Sequence, residues 1–240
     1  MAPSSAHPPD EGHHRDVSGG AARAAVFGVS DGLVSNLGLI LGVAGADPAP
    51  AVVRVAGLAG LVAGAISMAA GEYNSVRVQN ELYERELELE RIELRRNPEG
   101  ETEELAEVYE SRGVPGQRAL ELAQAMMADP DLALEVHAKE ELGFAPSSLA
   151  SPISAAVSSF FTFAVGALLP LLPWFVAEGT AATVASLVLA VVGAVVVGWV
   201  IAATAERPVA RVVVRQLLFT LVPAAITYAV GSALGVSGVG

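Results

Sequence analysis

Asp31 is the one charged residue in a 23-residue apolar run, AAVFGVSDGLVSNLGLILGVAGA, from Ala24 to Ala46. A carboxylate at that depth of a bilayer costs roughly 2.5–3.5 kcal/mol on insertion scales. Such a residue faces a bundle interior and handles an ion or a proton. A second apolar run closes with Ser67-Met68-Ala69-Ala70-Gly71-Glu72-Tyr73. Met68 and Glu72 are four apart, so on a helix they share a face. If the first run enters the membrane near Ala24, Asp31 lies about 10 Å deep at 1.5 Å per residue. The second run travels the other way and leaves near Ser75, which puts Met68 at the same depth and Glu72 one turn nearer the surface. Two carboxylates and a thioether can therefore converge on one cation. Mg²⁺ and Ca²⁺ prefer an all-oxygen shell, so the thioether favours Fe²⁺, Mn²⁺ or Co²⁺. Each residue also has an ordinary reading: Met68 as core filler, Glu72 as an interfacial carboxylate, Asp31 as polar glue between helices. Asn36 could offer an amide oxygen to the cation or make a hydrogen bond between helices.

A second set of candidate ligands lies in a polar stretch. Glu90 and Glu93 are three apart, as are Glu101 and Glu104, and His137 and Glu141 are four apart. Each pair looks out from one side of its own helix. Three such faces could surround one or more cations with carboxylate oxygens and an imidazole. A di-iron oxidase would need Glu-x-x-His motifs on paired helices, and this stretch has none, which counts against a ferroxidase; no enzymatic activity is expected. Glu81, Glu84, Glu86, Glu88 and Glu110 read instead as a solvated face, partly balanced by Arg85, Arg91, Arg95 and Arg96.

The elements that must position these groups follow from hydropathy. Five stretches suffice to cross a bilayer, which takes about 20 apolar residues: about 24–46, 52–72, 153–177, 180–204 and 212–235. The predicted fold is all-α, an integral membrane protein with five transmembrane helices and a cytoplasmic helical metal-binding domain. Its divisions are a disordered tail (1–22), two spans (23–75), the acidic domain (76–149) and three spans (150–240). Within the acidic domain the second span continues as a helix to Asn97-Pro98. Further helices are expected at about Glu101–Arg112, Gly116–Ala128 and Leu132–Gly143.

Charge is concentrated in the same way. Of 26 acidic residues, 19 fall between Glu72 and Glu141, with eight of the 14 basic ones. An acidic domain suits cations and excludes nucleic acid, whose phosphates require Lys and Arg. The absence of cysteine excludes disulfides and thiolate ligands. No prosthetic group is expected, only bound divalent ions: Fe²⁺ and Mn²⁺, with Co²⁺ or Zn²⁺ compatible. Arg15, Arg23, the acidic domain, Arg207, Arg211 and Arg215 lie on one side of the membrane, and Arg54 alone dissents. By the positive-inside rule the N-terminus and acidic domain are cytoplasmic and the C-terminus outside. The Ala/Val/Gly-rich composition suits a bacterial plasma membrane. The N-terminal segment has no apolar core and does not read as a signal peptide; its His7, His13 and His14 are read as part of a disordered tail. Small residues four apart, Gly28 and Gly32, Gly38 and Gly42, Gly60 and Gly64, allow close helix packing, either within the chain or between two copies.

Three segments together carry a family resemblance: FGVSDGLVSNLGLILGVAGA in the first span, SMAAGEYNSV closing the second, and LERIELRRNPEGETEELAEVYESRG followed by HAKEELG in the acidic domain. The chain resembles the vacuolar iron transporter family over nearly everything from Arg23 to Gly235. The resemblance implies five membrane helices per subunit, a homodimer, and a cytoplasmic domain of short metal-binding helices. It implies movement of Fe²⁺, and often Mn²⁺, out of the cytoplasm in exchange for protons. It assigns Asp31, Met68 and Glu72 to the transport pathway and Glu90, Glu93, Glu101, Glu104 and Glu141 to the cytoplasmic ligands. One departure stands out: His137-Ala138 occupies the place where some members carry two methionines. An imidazole there would make metal affinity more dependent on pH. The expected activity is a proton-coupled Fe²⁺ or Mn²⁺ transporter. The rivals are a membrane-anchored metal sensor or scaffold, which has no need of buried intramembrane carboxylates, and an iron-oxidising enzyme.

Overall fold

The computed structural model describes residues 20–144 and 149–237. Among them are eight α-helices and no strand. Most of the expected tail, including the three histidines, lies outside these residues; the first helix begins at Gly20.

Five helices are long and apolar enough to cross a membrane: α1 (Gly20–Gly45), α2 (Pro50–Arg96), α6 (Pro152–Leu171), α7 (Gly179–Thr204) and α8 (Val209–Ser237). The other three, α3 (Pro98–Ser111), α4 (Gly116–Met127) and α5 (Pro130–His137), form a small unit beyond the spans. The five spans are those read from the sequence. The third ends earlier as an α-helix, because Leu172–Phe175 tightens into a 3₁₀ turn around Pro173.

α2 is the spine. Its 47 residues extend about 70 Å at 1.5 Å per residue, more than twice a bilayer's hydrocarbon core. No Gly or Pro interrupts it after Gly71, so the apolar half runs straight into the charged half. Asn97 ends α2 and begins α3: its backbone N–H donates to the Glu93 carbonyl, and its side chain accepts from Gly100 N. Pro98 at the first position needs no donor there, and this starts α3 three residues earlier than expected. Asp129 caps α5 by accepting from the N–H groups of Asp131 and Leu132.

The small unit is held to α2 by apolar contacts. Leu87 packs with Leu134 and Ala138, and Tyr83 stacks on Phe144 with ring centroids 4.1 Å apart. Asn80 donates to the Ala150 carbonyl at 2.8 Å, tying the returning chain to α2. α5 does not continue as an α-helix to Gly143. After His137 it widens into a π-turn, Ala138–Leu142, closed by Gly143 in the left-handed region at φ 74°.

In the spanning region α1 is central, packed along α6 and α8. A Cβ on Gly32 would strike the Phe163 carbonyl of α6, and one on Gly166 would strike the Val29 carbonyl of α1. The two backbones meet because neither residue has a side chain. Gly28 also faces α6, and Gly38 and Gly42 face Thr227 of α8. The spaced glycines of α1 thus serve packing within one chain. Arg54, out of place by the charge rule, donates to the Trp174 carbonyl at 3.2 Å and lies 3.8 Å from Glu178.

Candidate metal sites in the membrane and below it

A cavity of about 370 Å³ opens between α1 and α2. Asp31, Ser35 and Asn36 line it from α1, and Met68 and Glu72 from α2; Phe163 of α6 closes its back. Asp31 and Met68 border one space, as their equal depth on antiparallel helices requires. Two glycines of α2 make room for it. At Gly64 a Cβ would meet the Phe163 ring, and at Gly60 it would meet Leu39 and the Asn36 oxygen.

The donors are held differently. Asp31 is half-buried and accepts from Ser35 Oγ at 3.0 Å, one turn along its own helix. Met68 packs beside Ala65, Phe163 and Ala167 while bordering the cavity, so it fills core and offers sulfur at once. Glu72 is buried, and Arg23 Nη2 donates to its Oε1 at 2.6 Å. Asn36 is 1% exposed and its Nδ2 donates to the Ala167 carbonyl at 2.7 Å. Sequence reasoning used Arg23 only for orientation. Counting depth from Arg23 finds this pair, because Arg23 opens the first apolar stretch and Glu72 closes the second, which runs antiparallel to it.

The second cluster gathers from three elements. Glu90 comes from α2, Glu101 from the first turn of α3, and His137 and Glu141 from the end of α5 and its π-turn. One ligand atom from each lies within 4.8 Å of all the others. His137 is completely buried; its Nδ1 stands 2.9 Å from Glu141 Oε1, 3.2 Å from Glu90 Oε1 and 3.7 Å from Glu101 Oε2. A single ring N–H can satisfy one carboxylate. Glu90 Oε1, though close, makes no hydrogen bond, and His137 Nε2 is buried without a partner. The surplus of converging acceptors is what a cation would neutralise.

Electrostatics show the same strain. Burial, and then the charges of Glu141, Glu101, Glu93 and Glu104, push the Glu90 carboxyl up to about 7. Burial raises Glu101 as well, against the opposing pull of His137. Glu93 and Glu104 are themselves exposed and fall outside the four-residue group. They border the cluster and act on it through charge. Glu140 points away to an ion pair with Arg112.

These two sites sit on one continuous helix, one site in its apolar half and one in its charged half. A family model described as the VIT family matches residues 22–232. The chain belongs to the VIT family. A vacuolar iron transporter of Acanthamoeba castellanii is 41% identical over 191 residues, covering 76% of this chain and 69% of that protein. Vacuolar iron transporter 1 of Eucalyptus grandis is 31% identical over 184 residues, covering 76% and 74%. Over a shorter stretch of 64 residues, 26% of this chain and 30% of the relative, vacuolar iron transporter homolog 4 of Oryza sativa subsp. japonica is 62% identical. This VIT-family chain is an integral membrane protein, as its five apolar helices require.

Proposed function

We propose that this chain moves divalent transition-metal ions, Fe²⁺ or Mn²⁺, out of the cytoplasm in exchange for protons. The observation that carries the reading is the cavity shared by Asp31, Met68 and Glu72 within the spanning helices. A helix bundle that only anchored a sensor would gain nothing from bearing the cost of those carboxylates. The names of the relatives, vacuolar iron transporters, support iron as cargo.

The acidic unit collects cations. Glu90, Glu101, His137 and Glu141 hold one, and the exposed Glu93 and Glu104 attract it. The ion then passes along α2 to Glu72, where it competes with Arg23, and reaches Asp31 and Met68 after losing water. Protons arriving from the far side compete for the carboxylate oxygens and release it, and that competition is the coupling. The distribution of arginines supports a cytoplasmic acidic unit. In a bacterial plasma membrane the direction is efflux. The resemblance supports a homodimer as the working form.

A metal-sensing scaffold is the second reading. It is favoured by the His137 cluster, whose four ligand groups stand on the charged half of α2, on α3 and at the end of α5, away from the apolar spans. Gradient-driven Mn²⁺ uptake into proteoliposomes separates the two, since a scaffold binds the metal and moves none.

A further inference from the structure

Asn36 stands in the middle of α1 with its side chain fully buried among α1, α2 and α6. Its two amide ends have different fates. The Ala167 carbonyl can only accept, so the atom 2.7 Å from it is the Nδ2 donor. That bond fixes the amide plane and turns Oδ1 the other way, toward α2 and the cavity. Oδ1 is buried and has no hydrogen-bond partner. A buried amide oxygen left unpaired is destabilising, because it has lost water and gained nothing in return. Gly60 stands opposite: a Cβ there would lie 2.7 Å from Oδ1. The absent side chain leaves space at this unpaired oxygen.

We propose that Asn36 Oδ1 is a direct ligand of the translocated divalent cation at the inner end of the cavity, beyond Asp31 and Met68. The inference rests on the transport reading and extends its ligand set. Asn36 is five residues further along α1 than Asp31, about 7.5 Å deeper at 1.5 Å per residue. Its oxygen is out of contact with water, so it receives an ion that has already shed part of its hydration. The oxygen is also neutral and does not titrate. Protons that displace metal from Asp31 leave Asn36 unaffected, so an ion released by the carboxylate still has one oxygen to move on to. A carboxylate, a thioether and an amide oxygen together suit Mn²⁺ and Fe²⁺.

The test uses the full chain in lipid nanodiscs for equilibrium Mn²⁺ binding, and in proteoliposomes for flux. Every protein carries Glu90→Gln and Glu101→Gln, to silence the second cluster. Asn36→Ala removes the oxygen and should raise the Mn²⁺ dissociation constant about tenfold or more. Asn36→Asp also loses the donor to Ala167 but keeps an oxygen. It should bind Mn²⁺ well at high pH and poorly at low pH, a dependence absent from the Asn36 protein's own contribution. If the residue only ties α1 to α6, the two variants behave alike at every pH, and the inference falls. Gly60→Ala keeps both Asn36 and its bond to Ala167 while crowding Oδ1. It should weaken Mn²⁺ binding even if both Asn36 variants fail to fold, and unchanged binding would overturn the assignment. The transport reading fails separately: no flux from the intact chain, with Asn36-dependent binding retained, would leave the site and remove the transporter.

Discussion

Arg23 Nη2 lies 2.6 Å from Glu72 Oε1 and ties the start of α1 to the middle of α2 at the mouth of the cavity. Glu72 is almost fully buried, whereas the Arg23 side chain is 65% exposed. The guanidinium is therefore the member of the pair that can swing away, and an entering cation must take its place. Arg23→Gln should leave Glu72 free for metal and lower the Mn²⁺ concentration for half-maximal flux about threefold. In the metal-free chain the buried Glu72 carboxylate is then left without its charged partner, so the variant should lose about 1–3 kcal/mol of stability. A higher half-saturation concentration in this variant would mean that Arg23 recruits the ion rather than obstructing it.

His137 is the centre of the second cluster. His137→Ala should weaken Mn²⁺ binding by the acidic unit at least about tenfold. It should also lower the melting temperature of the metal-free chain, because a fully buried imidazole is removed and three carboxylates are left facing one another. Titration calorimetry and thermal unfolding check the two effects. Flux with saturating metal should persist, since Asp31 and Met68 are untouched.

The carboxyl of Glu90 gives the acidic unit a pH dependence of known sign. Its value is raised from 4.5 to about 7, so the folded chain binds this proton more tightly than the unfolded chain does. Stability of the metal-free protein should therefore fall as pH rises from about 4.5 through 7. Metal affinity should change the opposite way, growing over the same interval as the proton leaves. Glu90→Gln should flatten both profiles. Unfolding curves and Mn²⁺ titrations at pH 5, 6, 7 and 8 test the pair, at roughly constant ionic strength.

Packing of α1 on α6 should be intolerant of any side chain at two positions. Gly166→Ala would drive a methyl into the Val29 carbonyl, and Gly32→Ala one into the Phe163 carbonyl. Each should cost about 1–3 kcal/mol or more, because backbone rather than a flexible side chain must move. Gly71→Ala, where a Cβ meets nothing within 4 Å, is the control and should be silent. Thermal melts in detergent distinguish them.

Much of this was legible in the sequence because hydropathy and spacing act locally. The lone charge at Asp31 marked the cavity, and the depth count placed Met68 beside it. The unbroken run of helix formers after Ser75 foretold that α2 would leave the membrane as one rod. Four of the six acidic-unit ligand candidates, Glu90, Glu101 and the His137–Glu141 pair, stand on faces of three helices legible in the sequence, and the fold brings them together. What the sequence concealed depends on tertiary contacts. The π-turn after His137 has no propensity signature; it arises where Leu134 and Ala138 dock on Leu87 and Phe144 stacks on Tyr83. The different fates of the two ends of the Asn36 amide could not be read either, since they depend on the Ala167 carbonyl accepting from Nδ2 alone and leaving Oδ1 unpaired. Glu93 and Glu104 share helix faces with Glu90 and Glu101 but stay exposed at the border of the tight four-residue group, a distinction that depends on how closely α2, α3 and α5 approach.

The most direct test of the transport reading is Mn²⁺ flux into proteoliposomes under an imposed pH gradient, with the intact chain compared with Asp31→Ala. The account predicts gradient-dependent flux in the intact chain and its loss in the variant, with Asp31→Ala still folded and still binding metal through the His137 cluster. Equal flux in both would contradict it, because the one carboxylate of α1 would then lie off the path of the ion.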